Sequence, residues 1–271
     1  MAARPRNGGE ALFRSWCNAS LVSYAVVIAL IISFTARYAG VDGYVRAFQD
    51  PAVRGALVLS VVTATIATIL ALIVAIPGAY ALSRYRLPFR GLLDALIDLP
   101  IALPPLITGI CLLIFFSPRS SFIGQFLADR GWEVVYTRPA IVLAQFMVAG
   151  GFTIRCLKST FDALTPRYEQ VARTLGCSAG RAFFTVTLPL ARGGIVAGAV
   201  MTWAKSIGEF GPIIVFAGSV EGKTLVLPTA IFLKMAVGEL EVRAAATMVL
   251  ILISSAALLL FKKFGGQENA W

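Results

Sequence analysis

Residues 155–192 read RCLKSTFDALTPRYEQVARTLGCSAGRAFFTVTLPLAR, a polar stretch between two long apolar runs. Thr165-Pro166 is typical of a helix start, because threonine can cap the first turn and proline suits the first helical position. Apolar residues then recur at helical spacing up to Leu175, and Gly176 suits the left-handed position that ends many helices. The stretch therefore predicts one short helix here and a second from about Ala179 to Phe184, ending before Leu188-Pro189.

The predicted pair of helices has apolar and basic faces and lies outside the apolar runs. Such a pair suits a docking platform for another protein. A solvated connector that lies on the lipid surface would carry the same residues, so the pattern alone leaves both interpretations open.

The rest of the chain is apolar enough to lie in a membrane. Of its 271 residues 58% are hydrophobic and 14% charged, whereas soluble domains carry roughly 25% charged residues. A helix needs about 20 apolar residues to cross the hydrocarbon core. A seventh apolar run, Leu225–Leu233, is too short to cross, contains Pro228, and predicts a re-entrant or interfacial helix. We expect an all-α membrane protein with six transmembrane helices, at Cys17–Ala36, Leu57–Ile76, Leu99–Pro118, Pro139–Ile154, Gly193–Gly218 and Ala244–Phe261.

Basic residues distribute unevenly between the two sides that six spans would create. The side that carries residues 155–192 and both ends of the chain has 14 basic residues, and the other side has 9. Because cytoplasmic loops are enriched in Lys and Arg, residues 1–16, 155–192 and 262–271 are predicted to be cytoplasmic. The net charge of +10 is explained by basic loops that face anionic lipid, and we expect no nucleic-acid partner.

The residues that usually perform catalysis or bind metals are scarce. There is no histidine, and the four cysteines are too far apart for a zinc or redox motif. We therefore expect neither a catalytic site nor a metal site in this chain.

Two charged residues, Lys205 and Glu209, fall inside the predicted fifth span. A charge in the bilayer is costly and usually faces a partner or a water-filled cavity. Their spacing allows them to pair on one helical face. They are either a buried ion pair that holds the helix packing or part of a gate or anion path, and the sequence supports both.

Helix-breaking residues mark two of the predicted spans. Gly208, Gly211 and Pro212 surround Glu209, and a break at this depth is tolerated where the backbone lines a water path or is covered by protein. Pro104 and Pro105, with Pro100, should kink or interrupt the third span, either to line the same path or only for packing.

Residues 217–224, AGSVEGKT, loosely match a phosphate-binding loop. Such a loop follows a buried strand and opens a helix in an α/β domain, whereas this stretch follows an apolar run. We expect no nucleotide there, and interpret Glu221 and Lys223 as part of an external surface that faces a solute-binding protein.

Within residues 155–192 the sequence resembles the cytoplasmic loop of ABC importer permeases. That loop reads Glu-Ala-Ala, three residues, Gly, nine residues, then I-x-L-P. Here Gln170-Val171-Ala172, Gly176 and Val186–Pro189 keep the spacing, with Gln170 in place of the usual glutamate and Glu169 one position earlier. The resemblance implies that the loop fits a groove in a separate ATPase subunit through the coupling residues Glu169, Gln170, Ala172, Gly176, Leu188 and Pro189.

Two further stretches, residues 90–113 and 206–218, resemble the molybdate, tungstate and sulfate permeases, molybdate most of all. The similarity covers about residues 55–260 and implies a type I ABC importer permease domain at 55–261. It implies two ATPase subunits that hold ATP and magnesium, no cofactor in this chain, a second permease copy or homologue, and an extracytoplasmic solute-binding protein. The expected path or gate consists of Lys205, Ser206, Glu209, Phe210, Pro104 and Pro105.

Other classes of function fit the sequence less well. A self-contained channel or secondary carrier needs no docking loop and often shows inverted repeats, which are not visible here. A membrane enzyme would need an acid–base, nucleophile or metal cluster, and none is readable.

Overall fold

The structure is a computed structural model that describes residues 8–236 and 238–265, and every regular element within those ranges is helical. The helices are α1 (Gly8–Gln49), α2 (Pro51–Arg84), α3 (Arg90–Ala102), α4 (Pro105–Phe116), α5 (Phe122–Ala128), α6 (Arg138–Ala163), α7 (Arg167–Thr174), α8 (Ala179–Ala182), α9 (Leu188–Leu190), α10 (Arg192–Ile207), α11 (Gly211–Phe216), α12 (Leu227–Ala236) and α13 (Leu240–Gly265).

Four helices, α1, α2, α6 and α13, are long and apolar enough to cross a membrane. The number rises to six if each of two bent pairs forms one span: α3 with α4, at 111°, and residues 179–190 with α10, at 71°. The prediction of an all-helical membrane protein is therefore confirmed.

The long helices extend beyond the apolar runs that predicted them. The run at 17–36 lies inside α1, which has a kink at Gly40. The run at 57–76 lies inside α2, and our expectation that this helix stops before Pro77 is wrong, because α2 continues to Arg84. Proline is tolerated inside membrane helices since neighbouring helices and side chains satisfy the freed backbone groups.

The predicted interruption of the third span is confirmed. The chain turns between α3 and α4 at Leu103 and Pro104, both with extended ψ values. The residue before a proline avoids the helical region, so that Pro104-Pro105 ends α3 and Pro105 begins α4.

The predicted break in the fifth span is also confirmed. Helix α10 ends at Ile207, directly before Gly208, and Phe210 has non-helical backbone angles. Helix α11 then begins at Gly211, with Pro212 in its first turn. The short helix predicted around Pro228 is present as α12.

The polar stretch contains the first predicted short helix, as α7. It ends as expected, since Gly176 has a φ of +90°. It begins at Arg167, one residue after Pro166, and without a side-chain cap.

The prediction that the second short helix ends before Leu188-Pro189 is wrong. Helix α8 continues through a π-turn, Phe183–Thr187, into α9. The π-turn closes with a bond from the Leu188 N–H to the Phe183 carbonyl. Pro189, which has no N–H to donate, then lies in the first turn of α9, where none is needed.

The centre of the fold is the contact between α2 and α6. Alanines at 64, 67, 71, 75 and 79 of α2 are fully buried. Small side chains let two helix backbones approach closely, and this is how membrane helices pack without a hydrophobic driving force between them.

Candidate coupling platform and translocation path

Helix α7 presents an apolar, basic surface to solvent. Tyr168, Val171 and Leu175 are exposed, Leu175 to 81%. Arg167 and Arg173 are exposed on the same short helix. We call α7 and α8 with the turn between them, residues 167–182, the platform. An exposed apolar patch of this kind is typical of a protein contact.

The predicted coupling residues divide into two groups in the structure. Gln170 and Gly176 are exposed, and Gln170 lines a groove of about 470 Å³ with Arg173, Cys177 and Ser178. Ala172 is half-buried, and Leu188 and Pro189 lie beyond the π-turn at the foot of α10.

Glu169 differs from its neighbours because its carboxylate is bound within the chain. Oε1 accepts a hydrogen bond from the Tyr80 hydroxyl at 2.5 Å, and Oε2 accepts one from the Thr187 hydroxyl at 3.1 Å. Tyr80 is on α2 and Thr187 is in the π-turn, so one side chain connects α7 to two other elements.

Tyr80 is the functional neighbour that sequence reasoning missed. Its ring packs against Phe183 and Phe161, with centroids 4.6 and 5.8 Å away. It belongs to a buried cluster with Leu157 and Ala191. Tyr80 lies inside the apolar helix α2, and nothing in the sequence around it indicates a contact with Glu169.

The end of α6 that leads to the platform is capped by the end of α2. Arg84 donates through Nη2 to the carbonyls of Phe161 and Leu164, at 2.9 and 2.8 Å. The Ser83 hydroxyl donates to Asp162 at 2.6 Å. The Arg84 bonds supply a partner to two carbonyls at the end of α6, and the Ser83 bond holds the Asp162 side chain there.

Arg155, which we expected to open the polar loop, instead lies inside α6. It binds Asp98 through Nε at 2.5 Å and Nη2 at 2.7 Å, and Asp94 through Nη1 at 2.7 Å. Both aspartates are on α3, so the guanidinium clamps α3 to α6. Such forked contacts are the strongest that arginine makes with carboxylates.

The two helix breaks meet in the structure. A Cβ placed on Gly211 would lie 2.9 Å from Pro105 Cβ, and one on Gly109 would lie 2.8 Å from Pro212 Cα. The structure therefore brings the predicted path residue Pro105 next to Gly211, which directly follows Phe210 in the chain.

Lys205 and Glu209 do not form the ion pair that their spacing allows. Within the described residues no contact of 4.0 Å or less joins them. Lys205 is exposed, whereas Glu209 is only 8% exposed. The helix ends between them, so that the i, i+4 geometry is lost.

A buried polar group accompanies the break after α10. Gln145 of α6, 1% exposed, donates through Nε2 to the Ser206 carbonyl at 3.0 Å. Among the residues that the structure describes, Gln145 Oε1 and Ser206 Oγ have no hydrogen-bond partner. The rings of Phe210 and Phe232 lie 5.1 Å apart, and both line an apolar cavity of about 660 Å³.

The loop at 217–224 forms a closed turn. The Val220 carbonyl accepts the N–H groups of Lys223, Thr224 and Leu225. Arg138 donates to the carbonyls of Gly222 and Lys223. The amides of this part of the loop therefore have partners within the chain.

At the end of the molecule away from the platform, an ionic cluster joins α2 and α12. Lys234 contacts Asp50 at 2.7 Å and Glu239 at 2.9 Å, and Asp50 caps α2 through the Ala52 N–H. Partial burial opposes ionisation of Asp50, but the bonds from Lys234 and Ala52 outweigh it and hold the pKa of Asp50 below its usual value.

Comparison with known proteins agrees with this architecture. Residues 67–264 match the family described as binding-protein-dependent transport system inner membrane component. The chain is 38% identical to the molybdenum transport system permease protein ModB of Mycobacterium bovis over 208 residues, which is 77% of each protein. It is 35% identical to the sulfate transport system permease protein CysT of Salmonella typhimurium over 212 residues, 78% of this chain and 76% of CysT.

A third relative and a solved structure extend the comparison. The molybdate/tungstate transport system permease protein WtpB of Thermococcus kodakarensis is 34% identical over 197 residues, 73% of this chain and 74% of WtpB. The fold matches a chain of a bacterial alginate ABC transporter, crystallised with an alginate-bound periplasmic protein, with a TM-score of 0.71. That match covers 94% of this chain and 95% of the other at 17% identity, and therefore concerns the fold alone.

These matches cover most of the chain, including the platform and both helix breaks. The helices, the platform and the family match describe a membrane-embedded translocating component, not an enzyme. The chain belongs to the family of inner membrane components of binding-protein-dependent transport systems, the permease subunits of ABC importers.

Proposed function

We propose that this chain moves a tetrahedral oxyanion across the inner membrane and is driven through its platform by two separate ATPase subunits. The observation that carries the proposal is the platform itself. It has an exposed apolar and basic outer face, and Glu169 holds it against α2 and the π-turn. A surface that both binds a partner and is rigidly attached can pass a partner's motion to the spans.

The platform also argues against a self-contained channel or secondary carrier. Such a protein draws its driving force from an ion or solute gradient across the membrane, and therefore needs no rigid docking platform for an ATPase. The family match favours the importer as well.

The proposed topology has six spans with both termini in the cytoplasm. A Cβ on Gly43 of α1 would lie 3.0 Å from the Glu241 carbonyl at the start of α13. The opposite ends of α1 and α13 therefore point the same way. Since α2 returns from Pro51 to Arg84, beside the platform, this arrangement supports placing both termini on the platform side.

The proposed substrate is molybdate first, with tungstate or sulfate next. The named activities of the relatives support this class. The ions share shape and charge, and we propose that a solute-binding protein selects among them before delivery to the outer surface.

The proposed path runs beside the two helix breaks, at the interface with a second permease copy. Lys205 supplies an exposed positive charge beside the break, and such a charge suits an anion. Ser206, Glu209 and Phe210, with Pro104 and Pro105 across from them, form the proposed gate.

Uptake into proteoliposomes tests the proposal. Vesicles that contain this chain, its ATPase partner and the binding protein should accumulate labelled molybdate only when ATP is supplied to the ATPase subunits. Unlabelled tungstate or sulfate should compete with labelled molybdate less well than unlabelled molybdate does. The chain alone should hydrolyse no ATP. Uptake that continues without the ATPase would instead support a channel or carrier.

A further inference from the structure

We infer that the Glu169 carboxylate is an internal brace that fixes the platform to the membrane helices, and does not contact the ATPase subunit. The inference rests on the proposed function and assigns a positioning role to one residue within it. It separates Glu169 from Gln170, although the two are adjacent in the chain.

Both carboxylate oxygens of Glu169 are already engaged. Tyr80 donates to one at 2.5 Å and Thr187 to the other at 3.1 Å. The shorter distance is in the range of hydrogen bonds from a hydroxyl to an ionised oxygen. A carboxylate directed inward onto two donors is turned away from a partner that docks on the outer face.

The hydroxyls of Tyr80 and Thr187 depend on Glu169 as their hydrogen-bond acceptor. Tyr80 is 7% exposed and Thr187 4% exposed, so neither hydroxyl has ready access to water. Removing the carboxylate would leave both donors buried without this acceptor, which costs more than the bonds themselves contribute.

The brace joins the elements that would have to move together. Tyr80 belongs to α2 and packs against Phe161 of α6 and Phe183 of the π-turn. Thr187 lies in the π-turn, which leads through α9 to α10 and the break at Glu209. A push on α7 therefore reaches three membrane helices through one side chain.

Gln170 has the opposite environment. Its side chain is exposed and lines the outer groove with Arg173 and Ser178. It occupies the position where the family signature has glutamate. Within the platform, Gln170 faces the partner and Glu169 faces the membrane helices.

The test uses the complete transporter in proteoliposomes, with substrate transported per ATP hydrolysed as the readout. Tyr80→Phe and Thr187→Val remove the donors and keep the side-chain shapes. ATPase subunits should still co-purify with the double variant, whereas transport per ATP should fall by about tenfold, as for loss of a hydrogen bond to a charged group. Glu169→Gln should behave in the same way.

Gln170→Ala is the matched control. It should weaken co-purification of the ATPase subunits, which the variants at Tyr80 and Thr187 leave intact. Tyr80→Phe combined with Glu169→Gln should be non-additive, because both variants weaken the same Tyr80–Glu169 hydrogen bond. Tyr80→Phe combined with Gln170→Ala should be additive. Phenylalanine preserves the ring packing, so Tyr80→Phe alone tests the hydroxyl even where the double variant does not fold.

The inference is overturned if Glu169→Gln releases the ATPase while Tyr80→Phe leaves transport per ATP at the wild-type value. That pair of results would make the carboxylate a docking contact. Failure of the wild-type chain to bind any ATPase is a different result, and would overturn the proposed function.

Discussion

Single glycines decide how closely the two helix breaks can approach. Gly109 on α4 faces the backbone of Pro212, and Gly211 faces Pro105 and the Leu106 amide. Backbone atoms cannot move aside as a flexible side chain can. Around the proposed gate, the fold therefore requires glycine, with no Cβ, at both positions.

We predict that Gly109→Ala lowers the free energy of unfolding by about 1–3 kcal/mol, the usual cost of overpacking. The cause is the 2.8 Å approach between the new methyl carbon and Pro212 Cα. Thermal unfolding in detergent measures the effect.

Gly78→Ala is the matched control, because Gly78 is also helical and a Cβ there meets nothing within 4 Å. Alanine favours the helix, so this variant should match or exceed wild-type stability. Equal destabilisation by the two variants would show that the close approach at Gly109 has no special cost.

At the scale of elements, the clamp from Arg155 determines where α3 lies. The two helices lie close together, since a Cβ placed on Gly151 of α6 would lie 2.5 Å from the Ile97 carbonyl oxygen of α3. The guanidinium engages Asp94 and Asp98 at once. Because α3 leads into the break at Pro104, the clamp also positions one wall of the proposed gate.

We predict that Arg155→Lys keeps the charge but lowers ATP-driven uptake by about tenfold, since an ammonium group cannot reproduce the forked contact. Arg90→Lys is the control. Arg90 lies 3.7 Å from Asp94 in a pair that is largely exposed, and exposed pairs contribute little. Uptake at the wild-type rate by Arg155→Lys would show that transport does not depend on the forked contact.

The elements differ in how far their sequence predicts them. Proline and glycine act locally, so that the breaks at Pro104 and Gly208 and the end of α7 at Gly176 are readable from the chain. The continuation of the helix through Leu188-Pro189 cannot be read from the chain, because a π-turn changes the backbone hydrogen bonds just before the proline. The Tyr80–Glu169 and Arg155–Asp98 contacts join distant parts of the chain, and only the packing of α2, α3 and α6 brings them together.

For the whole molecule, the arrangement separates two ends with different chemistry. One end carries the basic, apolar platform. The other carries the ionic cluster around Lys234 and the turn at Glu221–Lys223. The comparison structures support the fold between these ends, and the direction of insertion is the part that the charge distribution predicts.

We predict that residue 173 is cytoplasmic and residue 221 extracytoplasmic. In a variant without the four native cysteines, Arg173→Cys should resist an impermeant thiol reagent in intact cells and react after lysis. Glu221→Cys should react in intact cells. Labelling of Arg173→Cys from outside would reverse the topology and separate the platform from any cytosolic partner.

The outer face of the platform is the surface through which ATPase subunits would drive transport, and co-purification of these subunits with Leu175→Asp tests its role. Leu175 is 81% exposed, so the substitution leaves the fold intact and puts a charge into the apolar contact. We expect the wild-type chain to retain the ATPase subunits, and Leu175→Asp to lose them without loss of thermal stability. Retention by both chains, or by neither, would contradict this expectation.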